Sequence, residues 1–162
     1  MTQNSGALAL FDLDNTLSDA AHRQKFLLRR PRDWHAFFAA APKDPPLVRG
    51  VELALSTARE CAVGYLTGRP ERCRADTVDW LRAHGLPDGP LWMRPDSDRR
   101  RARAFKLETL RELAADRDIR LLVDDDELVC RDARRSGFRV VRADWAQPSG
   151  ALRNAQEREG RT

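Results

Sequence analysis

The sequence predicts an α/β fold: a three-layer sandwich in which a mainly parallel sheet carries helices on both faces. Three observations predict it. An apolar run, Ala7-Leu8-Ala9-Leu10-Phe11, stops at two carboxylates one residue apart, Asp12 and Asp14. Short apolar runs recur downstream, separated by amphipathic stretches of helical period. Those stretches are bounded by prolines at their starts and glycines past their ends, as in Pro70 to Gly85. Right-handed crossovers between successive strands make such a chain Rossmann-like.

The elements follow in order. Residues 7–13 read as a buried strand. Between Asp14 and Pro46 no strand pattern occurs. Residues 19–28 and 32–41 read as two short helices broken at Arg30-Pro31, the second carrying Trp34, Phe37 and Phe38. Residues 18–46 are therefore expected to form a small helical cap, with 42–46 a stiff linker back to the main layer. A helix over 46–59 presents Leu47, Val48, Val51, Leu53, Leu55 and Ala58 on one face. Strand 62–66, helix 70–84 and strand 90–93 come next. Helix 100–117, strand 120–123, helix 127–135 and strand 138–142 complete the pattern. Residues 146–162 are expected to be a polar, frayed tail.

At 162 residues the chain suits a single domain with a real core. Its composition, 41% hydrophobic and 33% charged, is that of a globular protein. No apolar run approaches the roughly 20 residues of a membrane span. The first residues lack a basic stretch followed by an apolar one, so the expected location is cytoplasmic, with no membrane partner. Cys61, Cys73 and Cys130 have no zinc-like spacing and are expected as reduced thiols. The net charge of +4 is mild and rests almost wholly on arginine; Lys25, Lys43 and Lys106 are the lysines. Charge alone points only weakly to nucleic acid.

The chemistry is concentrated in four places. Asp12-x-Asp14-x-Thr16 follows the first strand. Thr67-Gly68-Arg69-Pro70 follows the second, Lys106 stands alone in an arginine-rich stretch, and Asp124-Asp125-Asp126 ends the fourth strand. Buried acids are costly unless paired or bound to metal, and open α/β sheets bind ligands at the carboxyl ends of their strands. Two acids there suggest a metal site with a nucleophile beside it. Asp126 reads as an N-cap for helix 127–135, and Thr16 as a hydrogen-bonding residue that holds the acidic loop.

In this ordered set the chain resembles the haloacid dehalogenase (HAD) superfamily of phosphohydrolases. The resemblance implies that Asp12 attacks phosphorus to form an aspartyl-phosphate, and that Asp14 protonates the leaving group and then activates water. It implies Thr67 as a donor to the phosphoryl oxygen and Lys106 as the group that offsets transition-state charge. It also implies Mg²⁺, held by Asp12, the Asp14 main-chain carbonyl and the pair Asp124 and Asp125, with Asp125 favoured as the direct ligand. A metal-free dehalogenase is disfavoured, because the acid pair would then have no task.

A narrower resemblance is to the 3′-phosphatase module of phage-type polynucleotide kinase/phosphatases. It rests on Arg23 eleven residues after Asp12, on Gly68-Arg69-Pro70-Glu71, and on Met93-Arg94-Pro95 with Asp98, Arg99 and Lys106. It rests also on Asp124-Asp125 with Val129, Arg134 and Gly137. The resemblance implies Arg23, Gly68 and Arg69 on the substrate side. Asn15 stands where that family usually has glycine, and Asp126 where an arginine is common; the second change puts a negative charge beside the metal site. No glycine-rich phosphate loop ending in Lys-Ser or Lys-Thr is present, so the chain reads as a lone phosphatase or as one piece of a larger protein, and a kinase or ligase partner from another chain is one expectation.

The expected function is Mg²⁺-dependent phosphomonoester hydrolysis at a polynucleotide or nucleotide 3′-phosphate. The alternatives are a phosphatase of a small metabolite or 5′-nucleotide, and a non-catalytic module that binds nucleic acid or protein. For such a module, the run Arg99-Arg100-Arg101-x-Arg103 would track a phosphate backbone. Trp34, Phe37 or Trp92 would stack on a base.

Overall fold

The computed structural model describes residues 6–147 and 150–160. Five strands form one sheet: β1 (Leu8–Phe11), β2 (Ala62–Pro70), β3 (Leu91–Arg94), β4 (Ile119–Asp124) and β5 (Val140–Arg142). Their order is β3-β2-β1-β4-β5 and every pairing is parallel. The chain winds outward from β1 through β2 to β3, then returns to the other side of β1 for β4 and β5. The turning point lies between β1 and β4, where a doubly wound sheet opens a crevice.

Among the described residues six α-helices lie between the strands and a seventh follows β5. In the segment between β1 and β2 lie α1 (Gln24–Leu28), α2 (Trp34–Ala39) and α3 (Val48–Thr57). After β2 come α4 (Arg74–Ala83), α5 (Ala102–Asp116), α6 (Glu127–Arg135) and α7 (Gly150–Asn154). Strand side chains alternate between faces, so β1 divides its burial. Ala9 and Phe11 join Val63, Tyr65, Ala54, Trp80 and Leu81 in one layer. Leu8 and Leu10 join Leu66, Leu122, Phe105, Leu110, Val129 and Ala133 in the other. No described helix is long and apolar enough to cross a membrane.

The ends of helices obey local chemistry. Asp126 caps α6, its Oδ1 accepting from the main-chain N–H groups of Leu128 and Val129 at 2.8 and 3.3 Å. Gly137, at φ 91°, releases the chain after α6. Some boundaries differ from those the sequence suggests. β2 runs four residues beyond 66, because β3 continues to pair with it as far as Pro70.

The tail departs most from its expectation. Residues 150–159 are helical, and Leu152 and Ala155 are buried. Leu152 packs in a separate small core with Leu27, Phe37 and Phe38 of the cap segment. Glu159 ties the same region down, paired with Arg32 at 3.1 Å and accepting from Trp34 Nε1 at 3.1 Å. Two apolar residues three apart are enough to seat a helix whose other faces are polar, and such a narrow stripe is easily read as a tail. The remaining tail residues, 148–149 and 161–162, lie outside the described set.

Candidate active site at the turning point of the sheet

β1 carries its pairing with β4 up to the first acid: the Asp12 N–H donates to Val123 O at 2.9 Å. The chain then folds back on itself. The N–H groups of Thr16, Leu17 and Ser18 all donate to Leu13 O, and Asn15 adopts a left-handed conformation at φ 64°. Asparagine tolerates that region better than most side chains, so its place in the glycine position is met by geometry. The loop is then joined to residues 45–47, through Asp19 N to Pro45 O and Leu47 N to Leu17 O, both 2.8 Å.

This loop delivers Asp12 to a buried cluster. Lys106, from α5, donates to Asp12 Oδ1 at 2.8 Å and to Asp124 Oδ2 at 2.6 Å. The Thr16 hydroxyl donates to Asp12 Oδ2 at 3.0 Å, which bears out its reading as a loop-holding residue. Carboxylate oxygens of Asp12, Asp124 and Asp125 all lie within 4.8 Å of one another. Asp125 Oδ1 is buried with no hydrogen-bond partner among the described residues.

Burial and the neighbouring Asp12 and Asp124 charges push Asp125 well above the ordinary carboxylate range. Burial is also the main cause that raises Asp124 to about 7, with Asp12 adding to it and Lys106 opposing it. Lys106 is held above its usual value, because its two carboxylate partners outweigh the cost of burying the ammonium. Three acids against one lysine leave two uncompensated charges. Hard oxygen donors, an orphaned carboxylate oxygen and that charge deficit fit a divalent cation of the Mg²⁺ type; the residues that would hold it are Asp12, Asp124 and Asp125.

A second buried cluster adjoins the first. Asp14 Oδ1 accepts from Arg23 Nη2 at 2.7 Å and from Arg69 Nε and Nη2 at 3.0 and 2.6 Å. Asp44 takes the other side of the arginines. It accepts from Arg23 Nε at 2.8 Å, from Arg23 Nη2 at 2.6 Å and from Arg69 Nη2 at 3.4 Å. His22 Nε2 lies 2.7 Å from Asp44 Oδ1 at the half-exposed edge. Burial would raise Asp14, but the two guanidiniums hold it well below the usual carboxylate range. Asp14 Oδ2 is buried and has no hydrogen-bond partner among the described residues.

The substrate-side residues suggested by the sequence therefore sit deeper than expected. Arg23 and Arg69 are 0% and 1% exposed, and both are committed to Asp14 and Asp44. The register between β2 and β3 explains Arg69. Thr67 pairs with Met93 and Pro70 with Arg94, so Gly68 and Arg69 are extra residues that bulge out of the ladder. Arg94 fixes the bulge by donating to Gly68 O at 3.2 Å. Burial pushes the Arg94 guanidinium down to about 10, against the opposing pull of Asp98. Thr67 is buried at the same strand end and accepts from Arg69 N at 3.1 Å, which leaves its own hydroxyl hydrogen to donate.

Other expected surface features are otherwise engaged. Arg100 pairs with Asp98 and Glu108, and Arg103 with Asp132 and Glu157. Two arginines of the basic run, Arg100 and Arg103, are therefore matched by acids. Phe37 is wholly buried, Trp34 packs against Phe37 and Phe38, and Trp92 packs on the sheet with Arg117 over its ring. Asp44 is the residue that sequence reasoning missed. It sits among prolines in a segment that reads as linker, and its only sequence signal is an acid that is out of place in a stiff connection.

A family model described as the polynucleotide kinase PNKP phosphatase domain, of HAD type, matches residues 7–146. No curated protein matches the chain significantly in sequence. Among solved structures, a chain of the Pnkp1/Rnl/Hen1 complex is similar at a TM-score of 0.73 and 21% identity, over 91% of this chain and 49% of that one. The present chain thus spans about half the length of that relative. The class C acid phosphatase from Bacillus anthracis is similar at a TM-score of 0.67 and 14% identity, over 95% of this chain and 72% of that one. A haloacid dehalogenase-like hydrolase from Bacteroides fragilis is similar at 0.60 and 12%, with 93% of each chain covered. At these identities the neighbours speak to the fold.

Proposed function

The chain belongs to the family of polynucleotide kinase PNKP phosphatase domains, and on that premise we propose that it is a divalent-metal-dependent phosphomonoesterase acting on a polynucleotide or nucleotide 3′-phosphate. The observation that carries the reading is the convergence of Asp12, Lys106, Asp124 and Asp125 on one buried point at the sheet's turning point, with Asp14 beside it.

Asp12 is the nucleophile. Its two oxygens are held by Lys106 and Thr16, which fixes the carboxylate and limits the freedom lost on reaching phosphorus. Attack by an Asp12 oxygen forms the Asp12–phosphorus bond as the bond to the ester oxygen breaks, and Asp14 gives that oxygen a proton. Water then attacks phosphorus, Asp14 takes the proton, and the bond to Asp12 breaks to release inorganic phosphate. Asp12, Asp124 and Asp125, with the Asp14 main-chain carbonyl, are the residues that would hold a Mg²⁺, which would supply Lewis-acid neutralisation of charge on the phosphoryl oxygens. Lys106 adds a fixed positive charge, and Thr67 offers its hydroxyl hydrogen to a phosphoryl oxygen.

The arginine pair supports Asp14's role. The guanidinium charges are what hold the Asp14 carboxyl low. An incoming phosphoryl anion shares those charges, so the proton affinity of Asp14 rises when substrate is present. Arg23 and Arg69, buried on Asp14 and Asp44, thus act on the reaction through Asp14. The similar chain in the Pnkp1/Rnl/Hen1 RNA repair complex supports a nucleic-acid end as substrate and a kinase or ligase supplied by another chain.

The test is hydrolysis of 3′-phosphorylated oligonucleotide, 5′-phosphorylated oligonucleotide, mononucleotides and p-nitrophenyl phosphate, with Mg²⁺ and with chelator. The 3′-phosphorylated oligonucleotide is expected to turn over fastest, only with Mg²⁺. Asp12→Asn is expected to lower turnover at least 10³-fold, an order of magnitude set by loss of the nucleophile, with an unchanged circular dichroism spectrum. Full activity in that variant removes the nucleophile, and preference for a mononucleotide redirects the reading to small substrates.

A further inference from the structure

Resting on that reading, we propose that the cavity between the acidic loop and the C-terminal helix is a subsite for a second phosphate of the substrate, the phosphodiester one sugar away from the phosphate removed. The cavity measures about 120 Å³, and its lining includes Asn15, Asp125, Arg142, Asp144, Arg153 and Gln156. That is about four waters' worth of space, the scale of one phosphate group. Asn15 and Asp125 are neighbours of the metal-site acids in sequence or members of that site, so the cavity opens directly beside the reacting centre.

Part of its lining lies C-terminal to the family match. The family match ends at residue 146, while Arg153 and Gln156 belong to the helical segment 150–159. That segment is anchored rather than adjacent by chance. Leu152 lies in the small core with Leu27 and Phe37, and Glu157 pairs with Arg103 of α5 at 3.4 Å. The helix therefore contributes Arg153 to the lining, as the end of β5 contributes Arg142.

The chemistry selects the ligand. Arg23 and Arg69, the arginines that the sequence places on the substrate side, are buried on Asp14 and Asp44. Arg142 and Arg153 are exposed and line the opening. The acids in the lining are Asp125, which belongs to the metal cluster, and Asp144. Arg142 also faces Glu127 at 3.7 Å, a loose exposed pair of small worth. The lining sets two guanidiniums against Asp125 and Asp144, so the balance turns toward an anion once a cation neutralises the cluster that Asp125 belongs to, and the planar guanidinium forks match phosphate oxygens. A phosphomonoester of a small metabolite lacks the second phosphate, so this subsite favours a polynucleotide end.

The test reads binding, so its outcome is separate from that of the catalytic reading. In the Asp12→Asn background with Mg²⁺, nucleoside 3′,5′-bisphosphate and nucleoside 3′-monophosphate are titrated by calorimetry. The bisphosphate is expected to bind about tenfold tighter, the scale of one charge-assisted phosphate contact. Adding Arg142→Ala and Arg153→Ala is expected to remove that difference. Both side chains are exposed, and a thermal melt checks that the variant is folded; Arg153→Glu alone should reverse the preference. Equal affinity for the two ligands at the start, or a preference that survives the double substitution, overturns the subsite. Absence of hydrolysis by the wild-type chain would instead count against the phosphatase, and leaves the binding comparison intact.

Discussion

Two arginines shut away from water are tolerable only if their charge is matched, and in this chain Asp14 and Asp44 match them. Asp44 is 2% exposed and never approaches the metal cluster in the hydrogen bonds it makes, so it acts through the arginines. Replacing it by asparagine keeps the shape and removes one charge. The guanidiniums then bear more heavily on Asp14 and hold its proton affinity lower still. Asp44→Asn is therefore expected to slow hydrolysis most where the leaving group needs a proton. The loss on a nucleoside 3′-phosphate should exceed the loss on p-nitrophenyl phosphate by about tenfold, and the stability loss should be about 3 kcal/mol, the scale for breaking a buried pair. Equal losses on both substrates would make Asp44 merely structural. The contrast with Asp12 shows what was legible. Asp12, Asp14 and Thr16 declare themselves because their spacing is local and follows an apolar run. Asp44 acquires its meaning only from Arg23, 21 residues earlier, and Arg69, 25 residues later, and no local pattern records such a pairing.

The same contrast holds for whole elements. Helix α6 was legible to the residue, because Asp126 and Gly137 bracket it with cap chemistry. The bulge at Gly68 and Arg69 was not, because it depends on where β3 stops pairing. The C-terminal helix was hidden because its buried face is only a narrow stripe. Helix α3 shows how one element positions the site without touching its chemistry. A Cβ on Gly50 would meet Thr16 O at 2.0 Å, and Trp145 Nε1 donates to that same carbonyl at 2.9 Å. The helix backbone thus lies directly against the acidic loop, and backbone is not a neighbour that yields cheaply. Gly50→Ala must push α3 away or displace the loop that carries Asp12. The expected cost is about 1–3 kcal/mol, typical of overpacking, with kcat falling further than KM changes. Denaturant unfolding and steady-state kinetics on the same preparation measure both, and a variant with wild-type stability would show that α3 moves freely.

On the scale of the whole molecule, the site is a seam. It joins the loop after β1 to the end of β4, and the seam carries Asp12, Asp124 and Asp125 against the single charge of Lys106. Folding forces these acids together and away from water, so the metal-free fold works against its own charges. The sign of the pH dependence follows. Asp124 and Asp125 have raised proton affinities in the folded chain, so the folded state binds more protons than the unfolded one between the ordinary carboxylate range and about pH 7. Stability without metal should therefore fall as pH rises across that window. Asp14 runs the other way. Its affinity is depressed, so its contribution is present above the ordinary carboxylate range and is lost only in stronger acid. A divalent cation replaces the missing positive charge and should flatten the loss toward pH 8. With Mg²⁺ at about a hundred times its dissociation constant, linkage adds about 2.7 kcal/mol, which is roughly 5 to 10 °C in Tm for a domain of this size. Thermal melts at pH 5, 6.5 and 8, each with Mg²⁺ and with chelator, measure it. The largest Mg²⁺ effect is expected at pH 8, and Asp125→Asn should raise the metal-free Tm at pH 8 while abolishing the response to Mg²⁺. A Tm indifferent to Mg²⁺ at pH 8 would mean that the three carboxylates do not act together as a cation site.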